Sequence, residues 1–296
     1  MPILTLIAAG SFESGIISDA CDRLANANCA PAEIEWLEPG KAVDIGFKGS
    51  IADARVVSAS FESMADIVVQ SSEGRRKMLL VSDMDSTMIT VECIDELADY
   101  AGIKPEIAAI TERAMAGEMD FVEALKARVA LLAGLGEDVV TQCLAERVRP
   151  MAGAQTLVRS MEGWGAHNVL VSGGFTSFTG PVAAMLGFAE VHANVLEIVD
   201  GTLTGALVGD IVDASTKKAV LASAVESLGI PMTAALAVGD GANDLPMIAA
   251  AVGGSGLGVG FHPRPKLAAA ANFSVRHNDL TALLFAQGVK RSEWVQ

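Results

Sequence analysis

The sequence predicts an α/β protein: a Rossmann-like three-layer core with a helical cap inserted after its first strand, preceded by a small ferredoxin-like α+β domain. Three observations carry the prediction. From about residue 150 onward, short apolar runs alternate with helix-period segments, the pattern of a parallel sheet covered by helices. One further apolar run, Met78 to Val81, is separated from these by a purely helical stretch too long for an ordinary crossover. Residues 1–72 instead read β-α-β-β-α-β.

In chain order, Ile3 to Ala8 reads as a strand. Ile16, Ile17, Ala20, Leu24 and Ala25 recur at helical spacing over Gly15 to Asn28. Ala30 to Leu37 and Val43 to Phe47 read as strands joined at Glu38-Pro39-Gly40. Ile51 to Met64 reads as a helix, and Asp66 to Gln70 as a strand. A first domain is expected over 1–72 and a second over 77–296, with the basic cluster Arg75-Arg76-Lys77 as a solvated joint. The cap is expected at about 93–149. Ile94, Leu97, Ala98 and Ala101 give its first helix, and Pro105 opens the second. Asp120 and Glu123 form a capping signature for the third, and the fourth, Glu137 to Val148, stops before Pro150.

The alternation then resumes. Ala154 to Trp164 is helical, and Asn168 to Val171 is a strand ending in Ser172-Gly173-Gly174. Phe175 to Leu186 is a helix disturbed at Pro181. Val195 to Val199 and Leu203 to Val208 flank Asp200-Gly201, a hairpin signal. Ser215 is the expected cap of a helix through Val220, Leu221 and Ala224 that ends at Gly229 and Pro231. Ala235 to Val238 is a strand entering Gly239-Asp240-Gly241-Ala242-Asn243-Asp244. Leu257 to Phe261, the helix after Pro265, Phe273 to Val275 and Leu280 to Gln287 follow.

Composition narrows the function classes. A formal net charge of -15 among 296 residues disfavours nucleic acid and anionic membranes as partners. The four cysteines form no C-x-x-C, which suggests reduced thiols and no zinc knuckle. The start, Met1-Pro2-Ile3-Leu4, lacks the basic region of a signal peptide, and no apolar run reaches the roughly 18 residues of a membrane span. A cytoplasmic protein is expected, and a homodimer is compatible with the sequence. Gly253 to Gly258 lacks the register of a dinucleotide loop, and the dispersed histidines read as ordinary turn or surface residues.

The chemistry is expected where strands end. Asp83 and Asp85 follow the Met78 strand two residues apart, so they project the same way, off its carboxyl end. Two such carboxylates are either a solvated exit from the strand or a site that needs a cation or a shared proton. Ser172-Gly173-Gly174 can bind phosphate oxygens through a hydroxyl and amides. Lys217, in the first turn of its helix, offers a point charge, and Asp240 and Asp244 offer hard oxygen ligands of the kind Mg²⁺ prefers. Each signal alone is weak; their order, each after its own strand, is specific.

Asp83-Met84-Asp85-Ser86-Thr87, Ser172, Lys217 and Gly239 to Asp244 together resemble the haloacid dehalogenase (HAD) phosphatase superfamily. The resemblance is strongest to its phosphoserine-hydrolysing branch. It covers Leu79 to about Asp279 and includes Val91 to Glu96, Thr111 to Met115, Ser172 to Phe175 and Gly209 to Ala214. Lys217 is chosen over Lys218 by its distance from Asp213-Ala214. The resemblance implies hydrolysis of O-phosphoserine to serine and phosphate, the last step of serine biosynthesis. In that scheme Asp83 is the nucleophile that becomes an aspartyl-phosphate, and Asp85 is the general acid and base. Asp83, the main-chain carbonyl of Asp85, and Asp240 hold Mg²⁺, with Asp244 supporting. Ser172, Gly173, Lys217 and Asn243 hold the phosphoryl group. Another small phosphomonoester, phosphoryl transfer to an alcohol, or an amino-acid-binding regulator acting through the first domain are the alternatives. The first domain's pattern resembles an ACT domain, a small amino-acid-sensing module.

Substrate choice is expected from the cap. Phe121, Leu125, Arg128 and Leu132 share one helical stripe, so Arg128 either snorkels from an apolar face or presents a planar donor to a carboxylate. Glu92 is either a first-turn glutamate favoured by the helix dipole or the partner of an ammonium group. The resemblance supports the second role for both, adds Met115 and Phe121 as an apolar wall, and implies lid motion with Gly117 and Gly134 as candidate hinges.

Overall fold

The computed structural model describes residues 1–115 and 118–295, with the side chain of Met115 outside that description. The N-terminal part runs β1 (Pro2–Ala8), α1 (Ile16–Asn26), β2 (Ala30–Glu38), β3 (Ala42–Lys48), α2 (Ile51–Ser58) and β4 (Ala65–Ser71). Its strands form an antiparallel sheet in the order β2-β3-β1-β4, the ferredoxin-like arrangement expected. One face buries Leu4, Leu6, Ile45 and Phe47 with Ala20, Leu24 and Ala54 of the two helices. The second helix is shorter than expected: after Ser58 the chain tightens into a 3₁₀ turn, Ala59–Phe61, which drives Phe61 into that core.

The other face of the sheet is not solvated. Ile7, Ala42 and Val68 share a cluster with residues of the larger core. The expected solvated joint is therefore a correction. Arg75 is 8 % exposed and donates to both carboxylate oxygens of Asp44, to Thr5 Oγ1 at 2.7 Å, and to the carbonyls of Phe285 and Ala286. Lys77 is buried too and donates to the carbonyls of Gly74 and Thr233. Only Arg76 lies at the surface, against Glu293. A run of basic residues is read as surface by default; here the partner of Arg75 lies within a buried strand remote in sequence.

The larger part continues with β5 (Leu79–Ser82), α3 (Cys93–Ala101), α4 (Lys104–Met115), α5 (Phe121–Ala130), α6 (Glu137–Arg147), α7 (Ala154–Gly163), β6 (His167–Phe175), α8 (Thr176–Leu186), β7 (Glu190–Val199) and β8 (Thr202–Val208). It closes with α9 (Ala214–Ser227), β9 (Ala235–Gly239), α10 (Leu245–Gly253), β10 (Leu257–Phe261), α11 (Pro265–Ala270), β11 (Phe273–Val275) and α12 (Ala282–Ala286). Among the described residues these strands form a seven-stranded sheet in the order β11-β10-β9-β5-β6-β7-β8. It is parallel except for the β7–β8 hairpin. Every residue of β5 is buried, as a central strand covered on both faces requires. Because β6 and β9 flank β5, the polar residues after these three strands meet at one edge of the sheet.

Three local expectations change. β6 runs through Ser172-Gly173-Gly174 to Phe175, with an irregularity in its pairing between Val171 and Phe175 that lets the glycines bend outward. Asp213, not Ser215, caps α9: its carboxylate accepts from the Thr216 amide at 2.9 Å, and Ser215 donates to it at 2.7 Å. α8 passes through Pro181 unbroken, because Phe178, Val182, Ala183 and Leu186 all bury and packing outweighs the lost hydrogen bond. The cap leans on the hairpin: the Gly134 amide donates to Leu203 O and the Glu137 amide to Gly201 O. The candidate hinge Gly117 lies outside the described residues.

Candidate active site

The apolar strand β5 delivers Asp83 to the sheet edge with 3 % of its surface exposed. Asp83 Oδ1 accepts from the Met84 amide at 2.7 Å and lies 2.6 Å from Lys217 Nζ. The capped first turn of α9 brings Lys217 in from across the sheet, and its ammonium reaches Asp244 Oδ1 as well, at 2.7 Å. Asp244 spends its other oxygen on the amides of Asp240 at 3.2 Å and Gly241 at 3.1 Å. A side chain at Gly239 would not leave room for this carboxylate: a Cβ there would lie 2.4 Å from Asp244 Oδ2. Asn243 Nδ2 stands 3.4 Å from Asp83 Oδ2.

Carboxylate oxygens of Asp83, Asp240 and Asp244 lie within 4.8 Å of one another, with Lys217 as the cation that touches two of them. Negative charge is in excess, and the carboxyl groups register it. Burial and then Asp244 push Asp83 well above the usual carboxylate range, with Lys217 opposing. Burial and Asp244 push Asp240 up to about 6. Lys217 is held protonated: burial works against its charge, but Asp83 and Asp244 overcome that and raise it. A hard oxygen set that carries more charge than its lysine neutralises fits a divalent cation.

Asp85 stands nearby with a different environment. Its Oδ1 accepts from the Cys93 amide at 3.2 Å, and burial followed by the charge of Glu92 pushes its carboxyl up to about 7. Ser86, in the left-handed region at φ 55, donates to Glu92 Oε1 at 2.6 Å, so the turn after the DxD is fixed to the first residue of the cap. Ser172 Oγ accepts from the Gly174 amide at 2.9 Å.

A cavity of about 400 Å³ lies over these groups, of a size suited to a small metabolite. Asp83, Asp85, Ser172, Gly173, Asp240 and Asn243 form its floor; Glu92, Phe121 and Arg128 form its roof. Lys217 and Asp244 lie behind the floor, fully buried. The Phe121 ring reaches the loop of β6: a Cβ at Gly173 would lie 3.3 Å from it. Arg128 donates Nε to Ala124 O at 3.3 Å, and burial lowers its pKa against the pull of Asp95 and Glu92. Met115 ends α4, and its side chain lies outside the described residues.

Asp95 and Thr111 lay in the matched segments with no role assigned, and Arg264 and Asn194 were not singled out from sequence. Asp95, Thr111 and Arg264 also line the cavity. Asn194, 1 % exposed, donates to Gly173 O at 2.8 Å and accepts from the Val212 amide at 2.8 Å, tying the β6 loop to the segment that leads into α9. Nothing in its own strand marked it out, because β7 also carries Glu190, His192 and Glu197.

The haloacid dehalogenase-like hydrolase family matches residues 80–249 of this sequence, a span that contains the whole floor of the site. The chain belongs to that family. This HAD-like hydrolase is 46% identical over 211 residues to the phosphoserine phosphatase of Albidiferax ferrireducens, covering 70% of this chain and 87% of the relative. It is 40% identical over 292 residues to that of Streptomyces coelicolor, covering 97% of this chain. The chain spans 67% of the Streptomyces coelicolor relative and 63% of a Mycobacterium tuberculosis relative that is 45% identical. Among solved structures, an unliganded probable phosphoserine phosphatase from Vibrio cholerae superposes with TM-score 0.77 at 31% identity over 99% of this chain and 87% of its own. A phosphoserine phosphatase solved as a phospho-aspartyl intermediate analogue gives TM-score 0.64 at 33% identity, over 71% of this chain and 98% of its own.

Proposed function

We propose that this HAD-like hydrolase is a phosphoserine phosphatase that releases serine and phosphate from O-phosphoserine through an aspartyl-phosphate. One observation carries the substrate: the cavity whose floor gathers Asp83, Asp85 and Ser172 has Arg128 and Glu92 in its roof. A guanidinium suits a carboxylate, and a carboxylate suits an ammonium group. Several relatives 40–46% identical bear the same name.

In this reading Asp83 attacks phosphorus, forming an Oδ–P bond as the P–O bond to serine breaks. Asp85 gives its proton to the departing serine oxygen; a carboxyl pushed up to about 7 can hold that proton at neutral pH. Asp85 then takes a proton from the water that attacks the aspartyl-phosphate, which frees Asp83. Lys217, 2.6 Å from Asp83, favours the ionised nucleophile, and Ser172 with the Gly173 amide binds phosphoryl oxygens. A divalent cation, read here as Mg²⁺, would be held by Asp83, Asp240 and the main-chain carbonyl of Asp85 with Asp244 behind, and supplies charge neutralisation at the phosphoryl group.

The division into domains at 1–72 and 77–296, with a cap at about 93–149, is part of the same proposal, as is a cytoplasmic location. No helix among the described residues is long and apolar enough to cross a membrane. The test is phosphate release from phosphoserine, phosphothreonine and sugar phosphates, with and without Mg²⁺. Phosphoserine is expected to lead the panel and to require the cation. Preference for a sugar phosphate would overturn the substrate while leaving the chemistry.

A further inference from the structure

The N-terminal domain meets the loop that holds the cap linkers chiefly through one carboxylate, beside His277 Nε2 on Glu62 O at 2.7 Å and Asn278 Nδ2 on Ile7 O at 3.3 Å. Asp66, in β4, is 2 % exposed, and its partners are main-chain amides of a distant loop. Its Oδ1 accepts from the Arg276 amide at 2.6 Å and the His277 amide at 3.1 Å, and its Oδ2 from the Asn278 amide at 3.1 Å and Asn278 Nδ2 at 2.8 Å. Successive amides turned toward one point make an anion-binding concavity. Here the anion is a side chain from the other sheet.

The same loop is fastened on its far side. The Leu280 amide donates to Ala152 O at 3.1 Å. Gly153, at φ +79, packs so closely that a Cβ there would lie 2.7 Å from Thr281 N and 2.9 Å from Asp279 Oδ1. Ala152 and Gly153 belong to the segment that returns from the cap to the core, between α6 and α7. That segment is paired with the outgoing one: the Met151 amide donates to Met88 O at 2.8 Å, and the Thr90 amide to Arg149 O at 3.0 Å. The Met88 and Ile89 amides in turn both donate to Met84 O, between Asp83 and Asp85. A continuous series of short contacts therefore runs from Asp66 to both cap linkers and the nucleophile loop. None of residues 276–281 is part of the cavity lining.

We propose that Asp66 is a positioning residue for the cap: by holding residues 276–281 against Ala152 and Gly153, it sets how the cap linkers leave the core and so where Arg128 and Glu92 stand over the phosphate site. Without the carboxylate, three amides lose their acceptor and the loop keeps only the His277–Glu62 and Asn278–Ile7 bonds on this side, so it relaxes. The phosphate-handling floor, at the end of that series, is braced independently by Lys217 on Asp83 and Asp244 and by the Met84 amide on Asp83, and keeps its geometry. The proposal rests on the phosphoserine reading for its choice of substrate.

The experiment compares Asp66→Ala with the parent protein, full length and with Mg²⁺, on O-phosphoserine and on p-nitrophenyl phosphate, alongside thermal unfolding. The aryl ester has neither carboxylate nor ammonium for the roof to hold. kcat/KM for phosphoserine is expected to fall about tenfold or more, chiefly through KM, while the aryl phosphate changes by less than about twofold. Gly153→Ala, which strains the opposite side of the loop, is expected to give the same substrate-selective signature, and the double variant less than the product of the two. Equal losses on both substrates, or an unchanged ratio, overturn the proposal whatever happens to Tm. If Asp66→Ala does not fold, Asn278→Ala removes one of the same hydrogen bonds together with the loop's bond to Ile7 O and must shift the ratio in the same direction; an unchanged ratio there is equally decisive. Should the parent prefer another phosphomonoester, the ratio is measured with that substrate, and the phosphoserine reading fails without the positioning role failing.

Discussion

The floor and the roof of the cavity are built on different terms. The floor is braced from behind: Lys217 reaches Asp83 at 2.6 Å and Asp244 at 2.7 Å, and Asp244 also holds two amides. In the roof, the Arg128 guanidinium reaches one main-chain carbonyl, and Glu92 is engaged by Ser86. The floor is organised before any ligand arrives, as charge stabilisation at phosphorus demands. The roof leaves donors and acceptors to be completed by a substrate. The difference teaches that reaction and selectivity are separable here, and substitutions should separate them.

The largest effect belongs to the floor. Asp83→Asn is expected to lower phosphoserine turnover by at least about 10³-fold, since an amide cannot form the acyl phosphate. The Tm should fall little, because the change also relieves repulsion with Asp244. Single-turnover phosphate release checks it; near-normal turnover would remove Asp83 from the mechanism. Lys217→Ala comes next. It leaves two buried carboxylates without their cation, so a stability loss of about 3 kcal/mol is expected beside a kcat loss of about 10²-fold. Denaturant unfolding together with kinetics measures both, and a fully stable variant would mean that the ion pairs are not formed in solution.

The roof should behave otherwise. Arg128→Ala is expected to raise KM for phosphoserine by about 10- to 100-fold, the worth of one charge-assisted contact, with little change in Tm. Hydrolysis of p-nitrophenyl phosphate should hardly change. Equal damage to both esters would place Arg128 among the groups that serve the phosphoryl transfer and would erase the distinction between the two walls.

The floor was also the more legible half. Asp83, Ser172 and Asp240 each follow an apolar run closely, and β5, β6 and β9 are neighbours in the sheet, so local patterns predicted a shared edge. The alternation of strands and helices gave the fold class for the same reason. What the sequence hid depends on contacts between distant segments. Arg75 read as solvated because nothing near it in sequence announces Asp44. Asn194 was silent because its partners, Gly173 and Val212, lie on other segments. Asp213 took the α9 cap from Ser215 because both suit the position and only the backbone path decides between them. Asp95, Thr111 and Arg264 join the cavity through the fold of the cap and the turn before α11, which periodicity cannot supply.

The smallest expected effect is in stability against pH, where of the two charged roof residues Glu92 contributes and Arg128 does not. In the metal-free protein Asp85 is pushed up to about 7 and Asp240 up to about 6, both by burial first. A carboxyl whose pKa is higher in the fold than in the unfolded chain binds more protons in the fold. Its contribution is complete at low pH and is lost as pH rises through the folded value. Between about pH 5 and pH 8 the Tm of the metal-free protein should therefore fall by a few degrees. A saturating divalent cation should flatten that slope by binding the ionised carboxylates, and Asp240→Asn should reduce it in the metal-free protein by removing one of the groups. Arg128→Ala should leave it nearly intact, because the roof's guanidinium is not among the charges that shift these two floor carboxyls. Differential scanning fluorimetry across that range decides the matter. A metal-free Tm that is flat or rises with pH would mean that the floor carboxylates are not crowded as described, and the contrast with the roof would then rest on substrate preference alone.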